Sequence, residues 1–307
     1  MTPAYNQERY VRQTIDSVLG QDYRLLEYLV IDDGSTDATR TVLESYGDAL
    51  RWLTQPNQGQ TATINRGWTL ATGEIVAWVN SDDTLLPGAV RTAVDFLTAH
   101  GDTDIVFGDT LFTDGDGAPL RRSPPRPPFD YRAFVLGCEN PIPQPSAFVR
   151  RRVLGAEGLL DPTLRYFMDW DYWLRAGLRH RITYLPALLS TYRLHATSNT
   201  VAQSAAVAPE LEHVYRKYFD RTDLPPEIRD HRAQATVSMH LTSGGFAVAG
   251  GNTAAAVRSG LRAFKTRPVS FLSWRRLRAL LYCLLGSTWL YRVGRRLRGR
   301  LHRSGTP

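Results

Sequence analysis

Cysteine is scarce in this 307-residue chain, and its only two cysteines, Cys138 and Cys283, are far apart. Zinc-binding modules and thiol oxidoreductases need closely spaced cysteines, so the sequence excludes both. Chains that fold outside the cell often depend on disulfides, and the scarcity of cysteine therefore favours a cytoplasmic location. Apolar residues make up 43% of the chain and charged residues 22%, which is typical of a folded protein.

Acidic residues are absent after Asp230, although the first 230 residues hold all 30 of them. Residues 231–307 contain 14 of the 37 lysines and arginines, so the net charge of +7 comes from the C-terminal region. An acidic body followed by a basic region indicates two tasks, chemistry in the first and attachment in the second.

Long apolar runs are also missing. The uncharged stretch within 271–303, Ala279 to Tyr291, has 13 residues, whereas a membrane-spanning helix needs roughly 20. Arginines flank this stretch, and tryptophans and tyrosines lie at its margins, which suits a helix within the interface of an anionic membrane, at 271–303. A helix packed on the protein with a solvated basic face is the alternative. No nucleic-acid-binding module accompanies the basic residues, so we expect no nucleic-acid partner.

Strand-like and helix-like segments alternate in the first 108 residues. Apolar runs with strand character lie at 27–31, 50–54, 75–80 and 104–108. Helix-like segments lie at 8–19, 35–46, 59–71 and 87–100. This alternation predicts an α/β fold with a mostly parallel sheet flanked by helices. An irregular loop is expected at 114–130, a helix at 169–178, a strand near 188–193, and only helices from about 205, with a hairpin that ends before Pro268.

Two acidic pairs follow apolar runs: Asp32 with Asp33, and Asp82 with Asp83. Each pair should lie at the carboxyl edge of the sheet, where open α/β sheets bind ligands. Carboxylates there suit a divalent cation that carries phosphate oxygens. Either pair alone also fits an ordinary turn, but two at successive strand ends favour the functional interpretation.

Two further candidates follow later in the chain. Asp169 and Asp171 flank Trp170 at an expected helix start, where a desolvated carboxylate suits a general base. A helix N-terminus also favours acidic residues without any catalytic role. His195 alone is more often structural, but beside a carboxylate metal site it becomes a plausible ligand or phosphate contact.

Seven segments in order resemble family 2 glycosyltransferases of the GT-A fold. They are TPAYN at 2–6, VIDDGSTDAT at 30–39, QPNQGQTATINRG at 55–67, VNSDDTLLPGAV at 79–90, QPSAFVRR at 144–151, MDWDYWLR at 168–175 and YRLHATSNT at 192–200. No single segment decides the resemblance, but their shared order and spacing are specific. It covers roughly residues 2–200, so we expect a GT-A catalytic domain at 1–205 and a helical basic region at 206–307.

The resemblance implies an inverting transfer from a nucleotide-diphosphate sugar with Mn²⁺ or Mg²⁺. The nucleotide sugar would contact Pro3, Tyr5, Asp32, Asp33, Gln60, Asn65, Arg66, Asn80 and Ser81. The metal would be held by Asp82 and His195. Asp169 matches the catalytic base, and the acceptor side would comprise Gln144, Ser146, Trp170 and Asp171. The favoured donors are UDP- or dTDP-sugars, because an acidic residue near the base suits an imide N–H.

Three departures from the family pattern stand out. Asn80 replaces the first aspartate of the family's D-x-D motif, and Met168 replaces the glutamate before the base. The apolar strand that normally precedes TPAYN is nearly absent, so we expect the natural chain to begin upstream of Met1. These departures motivate an alternative, a catalytically weak nucleotide-sugar-binding protein. A sugar-phosphate nucleotidyltransferase is disfavoured because the chain lacks a glycine-rich, arginine-containing loop near its start.

The expected acceptor is a glycan or a lipid-linked sugar in surface or exopolysaccharide synthesis. The basic C-terminal region would hold such an enzyme peripherally at the inner face of the plasma membrane.

Overall fold

The computed structural model describes residues 1–124, 126–195 and 204–285. The chain divides into two compact units. The first consists of residues 1–131 and 140–198, and the second of residues 132–139 and 199–307. The domain boundary expected between residues 205 and 206 stays a prediction.

A parallel three-stranded sheet opens the first unit. Its strands are β1 (Thr2–Ala4), β2 (Leu29–Asp32) and β3 (Arg51–Thr54), in that spatial order. Helices α1 (Val11–Leu19) and α2 (Thr39–Glu44) lie in the connections. Short strands joined by helices pair in parallel because each crossover returns the chain to the same end of the sheet. The predicted α/β fold with helices flanking a parallel sheet is confirmed.

The predicted strand at 75–80 is shorter than expected. Only β4 (Ile75–Val76) is regular, and it pairs antiparallel with β8 (Ala147–Arg150). The following residues bond to Met1, whose nitrogen donates to the Ala77 carbonyl at 3.0 Å and whose carbonyl accepts the Val79 N–H at 3.0 Å. The apolar run therefore divides its hydrogen bonds between β8 and the residue before β1.

A second, mixed sheet has the long strand β6 (Ile105–Thr113) at its centre. β6 pairs in parallel with β9 (Ile182–Arg193) and antiparallel with β8 and with β7 (Pro119–Arg122). The short strand β5 (Thr84–Leu85) pairs antiparallel with β9. The segment 114–130, expected to be irregular, thus contributes a strand because residues 119–122 fold back on the end of β6.

Five more helices follow α1 and α2 within the first 180 residues. They are α3 (Gln60–Leu70), α4 (Ala89–Ala99), α5 (Tyr131–Gly137), α6 (Arg151–Glu157) and α7 (Met168–Ala176). The helix expected from residue 35 begins only at Thr39. Asp37 accepts hydrogen bonds from the N–H groups of Thr39 at 2.9 Å and Glu8 at 3.1 Å, which keeps the preceding residues in a loop.

Apolar side chains from α1, β2, α4 and β6 form the main core, which includes Val11, Ile15, Val30, Leu97 and Val106. An aromatic cluster joins α3 to α7. Trp68 lies 5.2 Å from Trp78 and 5.4 Å from Tyr172, and Trp173 stacks on Trp78 at 6.2 Å. Large rings of this kind bury much apolar area, so they fix α7 relative to the sheet.

The second unit is helical wherever it is described. Besides most of α5, its helices are α8 (Ser204–Phe219), α9 (Pro226–Arg229), α10 (Arg232–Ala249), α11 (Thr253–Thr266) and α12 (274–285), with a 3₁₀ turn at Pro268–Leu272. The predicted hairpin before Pro268 is confirmed as α10 and α11. The expected interfacial segment 271–303 lies partly outside the described residues, from 286 onward.

Small residues let the helices of this unit approach closely. A Cβ atom added to Gly244 would lie 2.5 Å from the sulfur of Cys283. Cys138 and Cys283 are free thiols, and burial raises their pKa to about 12 and about 11. Neither is a reactive thiolate at neutral pH. Among the residues described, no helix combines the length and the apolar character that crossing a membrane requires.

Candidate functional site

Asp33 follows β2 and organises the loop before α3. Its buried carboxylate accepts hydrogen bonds from the side chain of Gln55 at 2.7 Å and from the N–H groups of Gln58 at 2.9 Å and Gly59 at 2.8 Å. Gly59, directly before α3, has φ = +87°, a conformation that glycine adopts without strain. Asp33 therefore determines where α3 starts.

The other expected nucleoside contacts lie at the same edge of the parallel sheet. The Asp32 carboxylate is buried and accepts from Ser35 N–H at 3.1 Å and Thr54 Oγ1 at 2.9 Å. The Asp33 N–H donates to the Ala4 carbonyl at 2.8 Å, which ties the ends of β1 and β2 together. Pro3 is buried in β1, whereas Tyr5 just beyond it is 46% exposed. Tyr5 is thus the side chain of this group most open to a ligand.

The three expected contacts on α3 diverge. Gln60 donates to Asn80 Oδ1 at 2.8 Å, and Arg66 donates to Gln55 Oε1 at 2.7 Å, which links Arg66 through Gln55 to Asp33. Asn65 instead bonds the backbone of Leu160, accepting at 3.0 Å and donating at 2.8 Å. The oxygen and the nitrogen of its side-chain amide are both bonded there, so Asn65 anchors the loop that contains Leu160.

Asp82 and His195 form the closest pair of candidate ligands. His195 Nε2 lies 2.9 Å from Asp82 Oδ2, and the two side chains are 7% and 18% exposed. The His195 ring also packs against Tyr10, with ring centroids 4.8 Å apart. These contacts bring together residues that lie 113 positions apart in the sequence.

Asp83, the neighbour of Asp82, is buried and serves the turn. Its carboxylate accepts from Arg193 N–H at 2.9 Å and from the Asn80 amide at 3.4 Å. Burial and the charge of Asp82 raise the pKa of Asp83 well above its usual value. Ser81 is buried as well. Within the pair that follows β4, Asp82 is therefore the carboxylate that remains partly accessible.

Arg193, which sequence reasoning missed as a site residue, holds this turn from the end of β9. Its guanidinium donates to the carbonyls of Asp82 at 2.9 Å and Gly115 at 3.2 Å and to the side chain of Gln13 at 2.6 Å. It also lies over the Tyr10 ring, 4.8 Å from the centroid. The signal in the sequence was an arginine two residues before the candidate histidine, within an otherwise apolar and hydroxyl-rich strand.

The donor atoms of Asp82 and His195 suit a divalent cation, and a carboxylate with an imidazole is a set that Mn²⁺ accepts. Over residues 1–124, 126–195 and 204–285, no three His, Cys, Asp or Glu side chains converge into a metal cluster. The pair therefore fits a metal as a partial set of ligands, with the other coordination positions left to phosphate oxygens and water.

Asp169 lies in the first turn of α7 and is partly exposed. Its carboxylate accepts from Trp170 N–H at 2.9 Å and lies 3.4 Å from the Asn140 amide nitrogen. Trp170 packs edge-on against Phe167 with centroids 5.3 Å apart. Asp171 is buried and pairs with Arg175 at 2.9 Å, so its carboxylate supports the helix itself.

The expected acceptor-side residues on the 144–146 turn differ from one another. Gln144 donates to the Trp78 carbonyl at 2.7 Å, and its buried Oε1 has no hydrogen-bond partner among the described residues. Ser146 is fully buried and bonds the Asp109 carbonyl at 3.0 Å and the Ser190 hydroxyl at 2.6 Å. Gln144 thus keeps an acceptor atom for a ligand or water, whereas Ser146 joins the turn to the second sheet.

Met168 is buried rather than directed into solvent. The hydroxyl of Thr61 approaches its sulfur at 2.8 Å, which ties the start of α7 to α3. The residue before the candidate base is therefore a packing contact in this chain.

The parallel sheet with flanking helices and acidic strand ends has the GT-A fold of nucleotide-sugar-dependent enzymes. The chain belongs to the family described as Glycosyl transferase family 2, whose model matches residues 1–157.

The relatives of known sequence are also glycosyltransferases by name. An uncharacterized glycosyltransferase of Rickettsia prowazekii is 29% identical over 210 residues, which is 64% of this chain and 64% of the relative. The putative glycosyltransferase EpsH of Bacillus subtilis is 29% identical over 213 residues, 64% of this chain and 61% of the relative. The chain thus spans less than two thirds of the length of these relatives.

Solved structures share the fold at low sequence identity. Residues 1–349 of S. aureus TarS, crystallised with UDP, superpose with a TM-score of 0.66 at 19% identity, covering 92% of this chain and 85% of TarS 1–349. The Pyrobaculum calidifontis mannosyltransferase PcManGT, in complex with GDP-Man and Mn²⁺, gives a TM-score of 0.59 at 20% identity, covering 94% and 86%. At this identity the likeness shows the fold alone.

Proposed function

We propose that this chain is an inverting glycosyltransferase that moves a sugar from a nucleotide-diphosphate sugar to an acceptor hydroxyl. The observation that supports it most is the contact between Asp82 and His195, at 2.9 Å and still partly open to solvent. Family membership over residues 1–157 supports the same reaction class.

The donor would lie along the carboxyl edge of the parallel sheet. Tyr5 offers an exposed ring beside the buried carboxylates of Asp32 and Asp33, and an aromatic ring suits stacking on a nucleobase. The carboxylates of Asp32 and Asp33 already hold the neighbouring loops through hydrogen bonds. They would therefore act on the donor by shaping the nucleoside pocket and by placing negative charge near the base. Arg66 on α3 is exposed and carries a positive charge, which suits the diphosphate.

Asp82 and His195 would hold Mn²⁺ or Mg²⁺ together with the diphosphate. A bound divalent ion supplies positive charge to the leaving diphosphate. Asn80, at the first position of the D-x-D-like motif, would be the weaker metal ligand because Gln60 already donates to its Oδ1.

Asp169 would act as the general base. Its carboxylate takes the proton of the acceptor hydroxyl while the acceptor oxygen bonds to the anomeric carbon. The bond between that carbon and the diphosphate oxygen breaks, and the diphosphate leaves with the bonding electrons. A single displacement inverts the anomeric configuration, so no covalent intermediate is needed. The hydrogen bonds of Asp169 with Trp170 and Asn140 orient the carboxylate without burying it.

The donor class we favour is a UDP- or dTDP-sugar, whose imide N–H would meet the acidic edge. TarS has been solved with UDP-GlcNAc and PcManGT with GDP-Man, so a guanosine donor is the competing choice. For the acceptor we favour a glycan or lipid-linked sugar of cell-surface or exopolysaccharide synthesis, reached from the cytoplasmic side of the membrane.

Release of nucleoside diphosphate from a panel of UDP-, dTDP- and GDP-sugars, with and without Mn²⁺, tests the proposal. One donor should be turned over, and Asp169→Asn should lower turnover by about 10²–10⁴-fold while donor binding by calorimetry persists. Asp95→Asn, which alters an exposed aspartate on α4, is the matched control and should leave turnover unchanged. Donor binding without any turnover in the unaltered chain would support the binding-protein alternative instead.

A further inference from the structure

Exposed hydrophobic side chains concentrate in the helical unit. Among the described residues, six of the twelve large hydrophobic side chains that are exposed fall between positions 261 and 285. They are Leu261, Phe264, Val269, Leu272, Trp274 and Leu285. Scattered exposed hydrophobics are normal on a protein surface, but a concentration of them indicates an interaction site.

The most exposed of these lie on one turn and at the start of the helix that follows it. Val269 is 62% exposed, Leu272 90% and Trp274 70%, and all three lie on or directly after the 3₁₀ turn Pro268–Leu272. We refer to Val269, Leu272 and Trp274 as the apolar tip.

The apolar tip is held by residues of the same turn that point inward. Phe271 is buried, packs against Phe264 at 5.7 Å and joins a core cluster with Val237, Ala263 and Leu280. The Ser270 N–H donates to the Arg267 carbonyl at 3.0 Å and closes the turn. Because the inward side chains anchor the backbone, the outward ones are presented to solvent by a defined structure.

Arginines border the apolar tip on both sides along the chain. Arg267 precedes the turn, and Arg275 and Arg276 follow Trp274; these three form the cationic border. Burial and the neighbouring charges of Arg267 and Arg275 lower the pKa of Arg276. Glu139 bonds Arg275 at 2.6 Å, but both side chains are highly exposed, and such a surface pair is weak. The border therefore keeps a net positive charge.

Exposed apolar side chains with arginines on both sides in the sequence match the two layers of an anionic membrane surface. Acyl chains take the apolar side chains, a tryptophan fits the interface between the layers, and phosphate headgroups meet the arginines. A protein partner or a second copy would also bury the apolar tip, but an acidic bilayer satisfies both the apolar and the cationic parts.

We infer that the apolar tip and its cationic border form a docking surface for an anionic lipid bilayer, with Leu272 and Trp274 entering the interface and the arginines contacting lipid phosphates. This surface shares no residue with the site proposed for sugar transfer, so either proposal can fail without the other.

Sedimentation of the full chain with vesicles tests the inference. The vesicles contain phosphatidylcholine alone or phosphatidylcholine mixed with phosphatidylglycerol. Binding is expected only to the mixed vesicles and should weaken as salt rises. Leu272→Ser with Trp274→Ser should weaken binding by about tenfold or more, and Arg275→Gln with Arg276→Gln should do the same. Leu25→Ser, at a site 87% exposed in the first unit, is the matched control and should bind like the unaltered chain.

Several outcomes would overturn the inference. They are equal binding to both kinds of vesicle, unaltered binding in both double variants, or a dimer in solution that Leu272→Ser with Trp274→Ser converts to a monomer. Unaltered binding in both double variants would assign vesicle binding to the six arginines beyond residue 285. Thermal unfolding of each variant and donor turnover without vesicles should match the unaltered chain, so a loss of binding cannot be confused with misfolding or with failure of the transfer proposal.

Discussion

The imidazole of His195 meets the carboxylate of Asp82 at 2.9 Å, although His195 follows β9 and Asp82 lies in the turn after β4, 113 positions apart. Arg193 bonds the Asp82 carbonyl and, through its own N–H, the Asp83 carboxylate. The segment that carries His195 and the turn that carries Asp82 are therefore joined by the hydrogen bonds of Arg193 as well as by the contact between the two candidate ligands.

His195→Gln is expected to weaken Mn²⁺ binding in the presence of nucleoside diphosphate by about 10–100-fold, because the imidazole nitrogen is lost while the carboxylate remains. Asp82→Asn should weaken it at least as much, since a charged ligand is replaced by a neutral one. Calorimetric titration with Mn²⁺ at fixed UDP or GDP measures the change. His100→Gln, at an exposed histidine that ends α4, is the control, and equal affinity in the His195 and His100 variants would argue against a metal role for His195.

Asp33→Asn should reduce stability even without a ligand. The buried carboxylate accepts three hydrogen bonds, and an amide would turn an N–H₂ group toward at least one of these donors. We expect a loss of about 2–4 kcal/mol in the free energy of unfolding, measured by urea denaturation. Asp48→Asn at an exposed position should change it little. An Asp33→Asn protein with full stability but no donor binding would instead assign Asp33 directly to the ligand.

The order of strands and helices was accessible from the sequence because short apolar runs and helical segments alternate at regular spacing. The pairing of the strands was harder to predict from the sequence. The run at 75–80 has strand composition throughout, yet only Ile75–Val76 forms a regular strand because the following residues bond Met1. Helix α2 starts four residues after its predicted start because the Asp37 side chain bonds the backbone of Glu8. This contact joins residues 29 positions apart, so the local sequence pattern does not predict it.

The residues of the candidate site were likewise predictable from the sequence only in part. Asp82 and His195 were named from motif order, and the fold brings them into contact. The engagement of Asn65 with Leu160, Ser146 with Asp109 and Asp171 with Arg175 depends on which way each side chain turns. Motif spacing places a residue on an element, but burial decides whether its polar atoms remain available for a ligand.

Gly108→Ala is expected to disrupt the central pairing of the second sheet. A Cβ atom at Gly108 would lie 2.5 Å from the Ala187 carbonyl oxygen and 2.7 Å from the Leu189 side chain, where the β6–β9 register shifts. Because a backbone atom must move, we expect a loss of about 2–3 kcal/mol, read from denaturant midpoints. Gly101→Ala, whose Cβ would meet no atom within 4 Å, is the control. Similar stability in the two variants would show that the two strands separate at little cost.

The stability of the helical unit should fall in mild acid because of His240 on α10. Its side chain is buried and lies 3.5 Å from Glu212, which bonds Arg262 at 2.9 Å. Burial lowers the pKa of His240 below 6.5, with Arg262 acting in the same direction and Glu212 opposing it. The unfolded chain therefore binds a proton at a higher pH than the folded one.

Neutral His240 therefore contributes its full share to the free energy of unfolding above the unfolded pKa of about 6.5. That share is lost as the pH falls toward the lower pKa of the folded protein. The thermal midpoint, followed by circular dichroism from about pH 7.5 to about pH 5.5, should fall less for His240→Gln than for the unaltered chain. His213→Gln, at an exposed histidine on α8, should keep the unaltered slope. Parallel slopes in all three proteins would mean that His240 accepts its proton in the folded helices as readily as in the unfolded chain.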